Sequence, residues 1–195
     1  MLTYNYMKLE ETDSGYYRCW LSETEQEQMT EHYNESPKKQ LALRLMLFSG
    51  LRVGEVPNIS KDSIETTDAN YDLLTVVDGK YGTRQTMITP ETRNQIRTIA
   101  NTLELSQGDP IIDVAKRTVQ NWVSQAAESI DHPHADDVSA HDMRRTWATR
   151  LVHSGLPSDI VMDWGGWDDH GTFRDHYWSL SDAQVAEQLE RADII

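Results

Sequence analysis

The sequence predicts a mainly α fold with one small antiparallel β-sheet, an α+β arrangement. Two observations carry this. Capped segments with apolar residues at helical spacing recur along most of the 195 residues. Beyond a short N-terminal stretch, a β-prone pattern appears in residues 63–89 and is centred on a turn. A third observation bounds the setting. The longest apolar stretch, 41–51, is broken by Arg44 and is far too short to span a bilayer. The N-terminus has neither a basic start nor an apolar signal core, so the expectation is a soluble, cytoplasmic protein.

The elements follow in order. Residues 1–20 alternate loosely, carry Tyr4, Tyr6, Tyr16, Tyr17 and Trp20, and suit a short hairpin around Asp13-Ser14-Gly15. Ser22 with Glu25 is a capping box, placing a helix over 23–33. Pro37 opens a second helix, with Leu41, Leu45 and Phe48 at helical spacing, and Gly50 ends it. In 63–89, Leu73, Leu74, Val76 and Val77 form one strand-like run and Met87 and Ile88 another. Asp78-Gly79-Lys80-Tyr81-Gly82 supplies turn chemistry between them. Pro90 starts a helix reaching about 103. A further helix over 116–130 has Val119, Trp122, Val123 and Ala126 on one face. A long helix spans 141–154, a short one follows Pro157, and a last one begins after Ser181. There is no internal repeat, low-complexity tract or linker. The chain divides into a short extension (1–20), one domain (21–180) and a helical tail (181–195).

Charge is the unusual feature. Asp plus Glu number 32 against 18 Lys plus Arg, a net charge of −14, and Arg outnumbers Lys twelve to six. Phosphate neutralisation supplies much of a protein's affinity for nucleic acid, so this composition argues against DNA in dilute salt. In molar salt the Debye length falls to about 3 Å and the long-range repulsion nearly vanishes. An acidic, Lys-poor surface of this kind resembles proteins of salt-accumulating haloarchaea. A single cysteine, Cys19, excludes an internal disulfide and a cysteine-based metal cluster.

Four separated segments place a phosphate-friendly side chain beside helix or turn punctuation. In Ser49-Gly50-Leu51-Arg52-Val53-Gly54-Glu55 the glycine ends an apolar helix and aims Arg52 out of the core, with Glu55 three residues on to hold it. Lys80 stands at the tip of the expected hairpin. In His141-Asp142-Met143-Arg144-Arg145-Thr146-Trp147-Ala148-Thr149-Arg150, His141 and Arg144 share a helix face. Met143, Trp147, Leu151 and Val152 share another, apolar face that anchors the helix, so imidazole and guanidinium aimed jointly at one target suit a phosphate. Last, Trp164-Gly165-Gly166-Trp167 precedes Tyr177-Trp178. Taken singly, each segment also fits a bland role: a surface ion pair, a turn lysine, a basic amphipathic helix, packing tryptophans. Asp168, Asp169, His170, Asp175 and His176 suit a helix cap and a solvated loop better than a metal site.

In this order the segments resemble the catalytic domain of the tyrosine recombinase (phage integrase) family. That family reads T-G-L-R-x-x-E, a hairpin lysine, H-x-L-R-x-T-x-A-T-x-L, L-G-H or L-G-W, and a tyrosine. The resemblance covers about residues 20–180 and is most specific over the helix bearing His141 and Arg144. It implies that Arg52 and Arg144 clamp the scissile phosphate, that His141 and Trp167 add hydrogen bonds to it, that Lys80 protonates the departing 5′ oxygen, and that Tyr177 is the nucleophile. Glu55 supports Arg52. No cofactor and no metal are implied, because the two arginines carry the charge. The sequence departs from the family in three ways. Tyr177 follows Trp167 by ten residues where nine is usual, with His176 at the usual place. "GGW" replaces "LGH". Only about twenty residues precede the domain where a DNA-clamping domain is common, which fits either a naturally short recombinase, the expectation, or a truncated one.

The implied partner is double-stranded DNA, engaged near the nucleoid by a chain that is monomeric when free and tetrameric on paired sites. The implied activity is integration or excision of a mobile element, of haloarchaeal origin, through a 3′-phosphotyrosyl link. Three alternatives stand beside it: a DNA-binding accessory protein with a decayed site, a type IB topoisomerase-like strand transferase, and an unrelated acidic helical interaction module. The last predicts no clustering of the six residues.

Overall fold

The structure, a computed structural model, describes residues 6–78 and 82–171, together with 173, 186, 189 and 190. The first element is a hairpin of β1 (Lys8–Glu11) and β2 (Tyr17–Trp20), antiparallel with Leu9 opposite Cys19, as expected around Asp13-Ser14-Gly15. Helix α1 (Glu23–Glu31) starts at the expected capping box. Ser22 Oγ accepts from the Glu25 amide at 3.3 Å, and the Glu25 carboxylate accepts from the Ser22 amide at 2.7 Å. Its other oxygen accepts from the Met7 amide at 2.9 Å, tying the hairpin to the helix.

Helix α2 (Pro37–Ser49) is the centre of the molecule. Leu41, Ala42, Leu43, Leu45, Met46 and Leu47 are all fully buried. A helix apolar on every side must be covered on every side, and α1, α3 (Pro90–Thr102), α4 (Lys116–Ala127) and α5 (Ala140–His153) pack around it. The β-prone stretch forms a three-stranded antiparallel sheet in the order β3 (Ile64–Thr66), β4 (Asp72–Asp78), β5 (Gly82–Met87). The sequence expectation contained β4 and β5 but did not single out β3, whose three residues are too few to show a period. A short α6 (Ser158–Gly165) follows Pro157 as expected and lies against β5.

Helix α5 joins these parts. It packs on α2 through Met143 and on α6 through Trp147 and Val152. On its hairpin side, Asp142, Thr146 and Thr149 stand at i, i+4 and i+7. They receive the Cys19 amide (2.9 Å), the Leu21 amide (3.0 Å) and the Trp20 indole N–H (3.0 Å). Polar side chains at helical spacing thus serve as the pairing edge for β2. Among the described residues, no helix is long and apolar enough to cross a membrane. The helix expected after Ser181 falls, apart from 186, 189 and 190, outside the described residues.

Candidate active site

Arg52 is placed by the end of α2. Gly50 closes that helix at φ 67°, a left-handed conformation that an L side chain resists. A Cβ there would also fall inside the indole of Trp147. The chain turns immediately, with the Glu55 amide donating to the Arg52 carbonyl at 2.8 Å, and the Glu55 carboxylate folds back. It accepts from the Arg52 amide at 2.6 Å and from Arg52 Nη1 at 3.0 Å. Glu55 is only 3% exposed, and a buried carboxylate needs compensating charge. Arg84, on β5, supplies the larger part as a two-pronged pair, at 2.5 and 2.7 Å. Burial pushes the Glu55 carboxyl up. The Arg84 hydrogen bonds and charge, the Arg52 amide and Arg144 outweigh it and leave the group below its usual range.

The C-terminal turn of α6 gathers three guanidiniums on three consecutive carbonyls. Arg84 Nε donates to Trp164 O at 2.8 Å, Arg144 donates to Gly165 O, and Arg52 Nη2 donates to Gly166 O at 2.7 Å. Arg144 also donates to Gly50 O. A helix C-terminus carries unpaired carbonyls and the negative end of the dipole, so cations gather there. Gly165 cannot carry a side chain, because Trp167 folds back over it and would overlap any Cβ. The Trp167 amide closes the turn on Met162 O at 3.0 Å. The indole lies with Arg144 4.0 Å from its centroid, stacked on Trp147 at 6.1 Å and tilted against Phe173 at 5.2 Å. Gly50, Trp147, Trp167 and Arg144 therefore form one layered stack.

These elements enclose a cavity of about 460 Å³ lined by Arg52, Glu55, Lys116, His141, Arg144, Arg145 and Trp167, among others. Four of these seven are basic side chains, Arg145 being paired with Asp142, and one is a carboxylate already held by Arg84 and Arg52. In a chain of net charge −14, this is a local positive well. It suits a small, multiply oxygenated anion, since guanidiniums and an imidazole can each engage a different oxygen. Among the described residues, no group of three or more His, Cys, Asp or Glu side chains is arranged to hold a metal ion.

Of the residues expected from sequence, Arg52, His141, Arg144, Trp167 and the supporting Glu55 all line this cavity. Lys80 and Tyr177 lie outside the described residues. Trp167 fills the packing role and the cavity-lining role together. Three residues at or behind the cavity were not anticipated: Arg84, Lys116 and Arg145. Arg84 had a usable signal. Counting back by twos from the apolar Ile88 puts Thr86 and Arg84 on the inward face of the strand, where an arginine demands a partner.

The fold is that of tyrosine recombinase catalytic domains. Solved structures similar to it include the XerA recombinase (TM-score 0.71, 17% identity, covering 89% of this chain and 64% of that one). Another is the XerH site-specific recombinase bound to difH substrate in a pre-cleavage complex (TM-score 0.67, 15% identity, 87% and 53%). A third is the Tn1549 transposon integrase in complex with transposon right end DNA (TM-score 0.64, 14% identity, 89% and 66%). The sequence profile of the phage integrase family matches residues 19–184, and the chain belongs to that family. A segment of 60 residues is 33% identical to the integrase of Salmonella phage P22, spanning 31% of this chain and 15% of that protein. The chain spans about half to two thirds of the length of these solved recombinases.

Proposed function

We propose that this chain is a site-specific DNA recombinase that cuts and rejoins DNA through a 3′-phosphotyrosyl intermediate, integrating or excising a mobile element. The observation that carries the reading is the convergence of Arg52 and Arg144, from distant parts of the chain, with His141 and Trp167 on one cationic cavity in an otherwise acidic protein. Family membership and the DNA held by several recombinases of the same fold support it. The scissile phosphate occupies the cavity. The Tyr177 oxygen gives up its phenolic proton to solvent and bonds to phosphorus as the bond to the 5′ oxygen breaks, and Lys80 gives that oxygen its proton. A phenol has an ordinary pKa near ~10, so the step depends on stabilising charge elsewhere. Arg52 and Arg144 provide it on the non-bridging oxygens, with hydrogen bonds from His141 and Trp167. One phosphate ester replaces another, so the strand rejoins without ATP. On DNA the protein works as a tetramer in the cytoplasm, with 21–180 as the catalytic unit and 181–195 as a coupling tail.

The test is a duplex carrying a nick close to the cut site, so that the released fragment diffuses away and the adduct is trapped. Incubated with the element's junction DNA in molar KCl, the chain is expected to form a covalent adduct. Arg144→Ala is expected to slow it by at least ~10²-fold, the usual cost of one oxyanion donor. A wild-type chain that binds junction DNA and never becomes attached to it points instead to an accessory DNA-binding protein.

A further inference from the structure

One of the three guanidiniums on the α6 turn does not line the cavity. Arg84 sits behind it, with a side chain 12% exposed. All three of its nitrogens are committed: Nη1 and Nη2 to the two oxygens of Glu55, and Nε to the carbonyl of Trp164. Its aliphatic stem lies against the Gly-Gly turn, where a Cβ on Gly166 would come within 3.1 Å of Arg84 Cδ. We propose that Arg84 is a positioning residue for strand cleavage, which locks Glu55 to the C-terminal turn of α6 and thereby sets the Arg52 guanidinium and the Trp167 indole that face the phosphate. The inference rests on the recombinase reading above and adds a residue to it.

Glu55 and Trp164 belong to different parts of the chain, one after α2 and one on α6. Arg52 touches both sides, through Glu55 and through Gly166 O. A planar guanidinium bonded to a carboxylate along one edge and to a carbonyl through Nε fixes the distance and angle between the two partners together. A lysine, with one point charge on a flexible stem, fixes neither. Arg84 also governs how strongly Glu55 holds Arg52. Its bonds to the carboxylate, 2.5 and 2.7 Å, are shorter than the 3.0 Å bond from Arg52 Nη1. Arg84 thus takes the larger share of that charge, and Arg52 is oriented by Glu55 without being fully neutralised by it. Removing Arg84 leaves Arg52 as the main counter-ion of a buried carboxylate and draws it off the phosphate. DNA affinity, which comes from many phosphate contacts, depends little on this one adjustment.

The experiment compares the full chain with Arg84→Lys and Arg84→Gln, measuring melting temperature, affinity for the nicked junction duplex, and the single-turnover rate of adduct formation. Arg84→Lys keeps the charge and most of the stem, and is expected to melt within about 5 °C of wild type. It is expected to bind DNA within about threefold and form adduct about 10²-fold more slowly, the usual penalty for misplacing a catalytic group by an ångström. Arg84→Gln is expected to be slower still at similar affinity. Wild-type cleavage with an undiminished rate in Arg84→Lys overturns this inference alone. So does a rate loss matched by an equal loss of affinity, or a fall in melting temperature beyond about 10 °C in Arg84→Lys, which makes the bridge an ordinary structural support. A wild-type chain that forms no adduct overturns the recombinase reading and this inference with it.

Discussion

Replacing Gly50 by alanine tests whether the layered stack, rather than helix termination alone, explains that glycine. Gly15 provides a matched control. It has φ 76° against 67° at Gly50, but nothing lies within 4 Å of a Cβ added there, whereas at Gly50 the added carbon falls inside the Trp147 indole. The left-handed backbone costs an alanine about 1–2 kcal/mol at either position. The indole is fully buried between Gly50 and Trp167, and overpacking such a site adds about 1–3 kcal/mol. Gly15→Ala should therefore cost about 1–2 kcal/mol and Gly50→Ala about 2–5 kcal/mol. For a chain of this size each kcal/mol lowers the melting temperature by about 2–4 °C. A displaced Trp147 also shifts Trp167 and, through it, Arg144, whose guanidinium also bonds the Gly50 carbonyl. Adduct formation should fall by about 10²-fold in Gly50→Ala and stay unchanged in Gly15→Ala. Melting curves and single-turnover cleavage are the assays. Equal destabilisation by the two substitutions, or a Gly50→Ala protein that cleaves at the wild-type rate, refutes the stacking argument.

Three further outcomes are expected. The net charge of −14 makes the fold self-repelling in dilute buffer, so melting temperature and cleavage should rise together from low salt to molar KCl; a flat melting profile contradicts the halophilic reading. Acid should weaken the fold through Glu55, whose carboxyl is held below the ordinary 4.5: its contribution is complete above that unfolded value and is lost as pH falls through the lower folded one. The stability difference between wild type and Glu55→Gln, measured by denaturant in molar KCl, should shrink below about pH 4.5; a difference constant with pH removes the ion-pair explanation. Deleting residues 181–195 should leave a monomer that still forms adduct on a single site but no longer completes strand exchange on paired sites, and full recombination by the truncated chain excludes a coupling role for the tail.

Much of this architecture was legible because local signals agreed with tertiary need. The Ser22–Glu25 capping box, Pro37 and Pro90 at helix starts, and Gly50 at a helix end each act within a few residues, and the helices begin or end where those residues stand. The α5 segment was legible twice over, in its apolar face and in the pairing of His141 with Arg144. What escaped depends on contacts distant in sequence. Nothing near Asp142, Thr146 and Thr149 announces that they receive a strand from residues 19–21, more than a hundred positions away. Strand β3 escaped in a different sense, since three residues carry no pattern. Glu55 was understood as the holder of Arg52, three residues before it. Its stronger partner, Arg84, comes from a strand 29 residues on. The double use of Trp167, in packing and in lining the cavity, also became evident only once Arg144 and Trp147 were seen against its ring.

The most direct test of a tyrosine nucleophile served by this cavity is peptide mapping of the trapped protein–DNA adduct by mass spectrometry. Eight tyrosines are available in the chain, and the unusual spacing after Trp167 makes the choice among them informative. Attachment at Tyr177 alone is expected, with adduct abolished in Tyr177→Phe while DNA binding and melting temperature are retained. Attachment at another tyrosine, or undiminished adduct in Tyr177→Phe, contradicts the assignment.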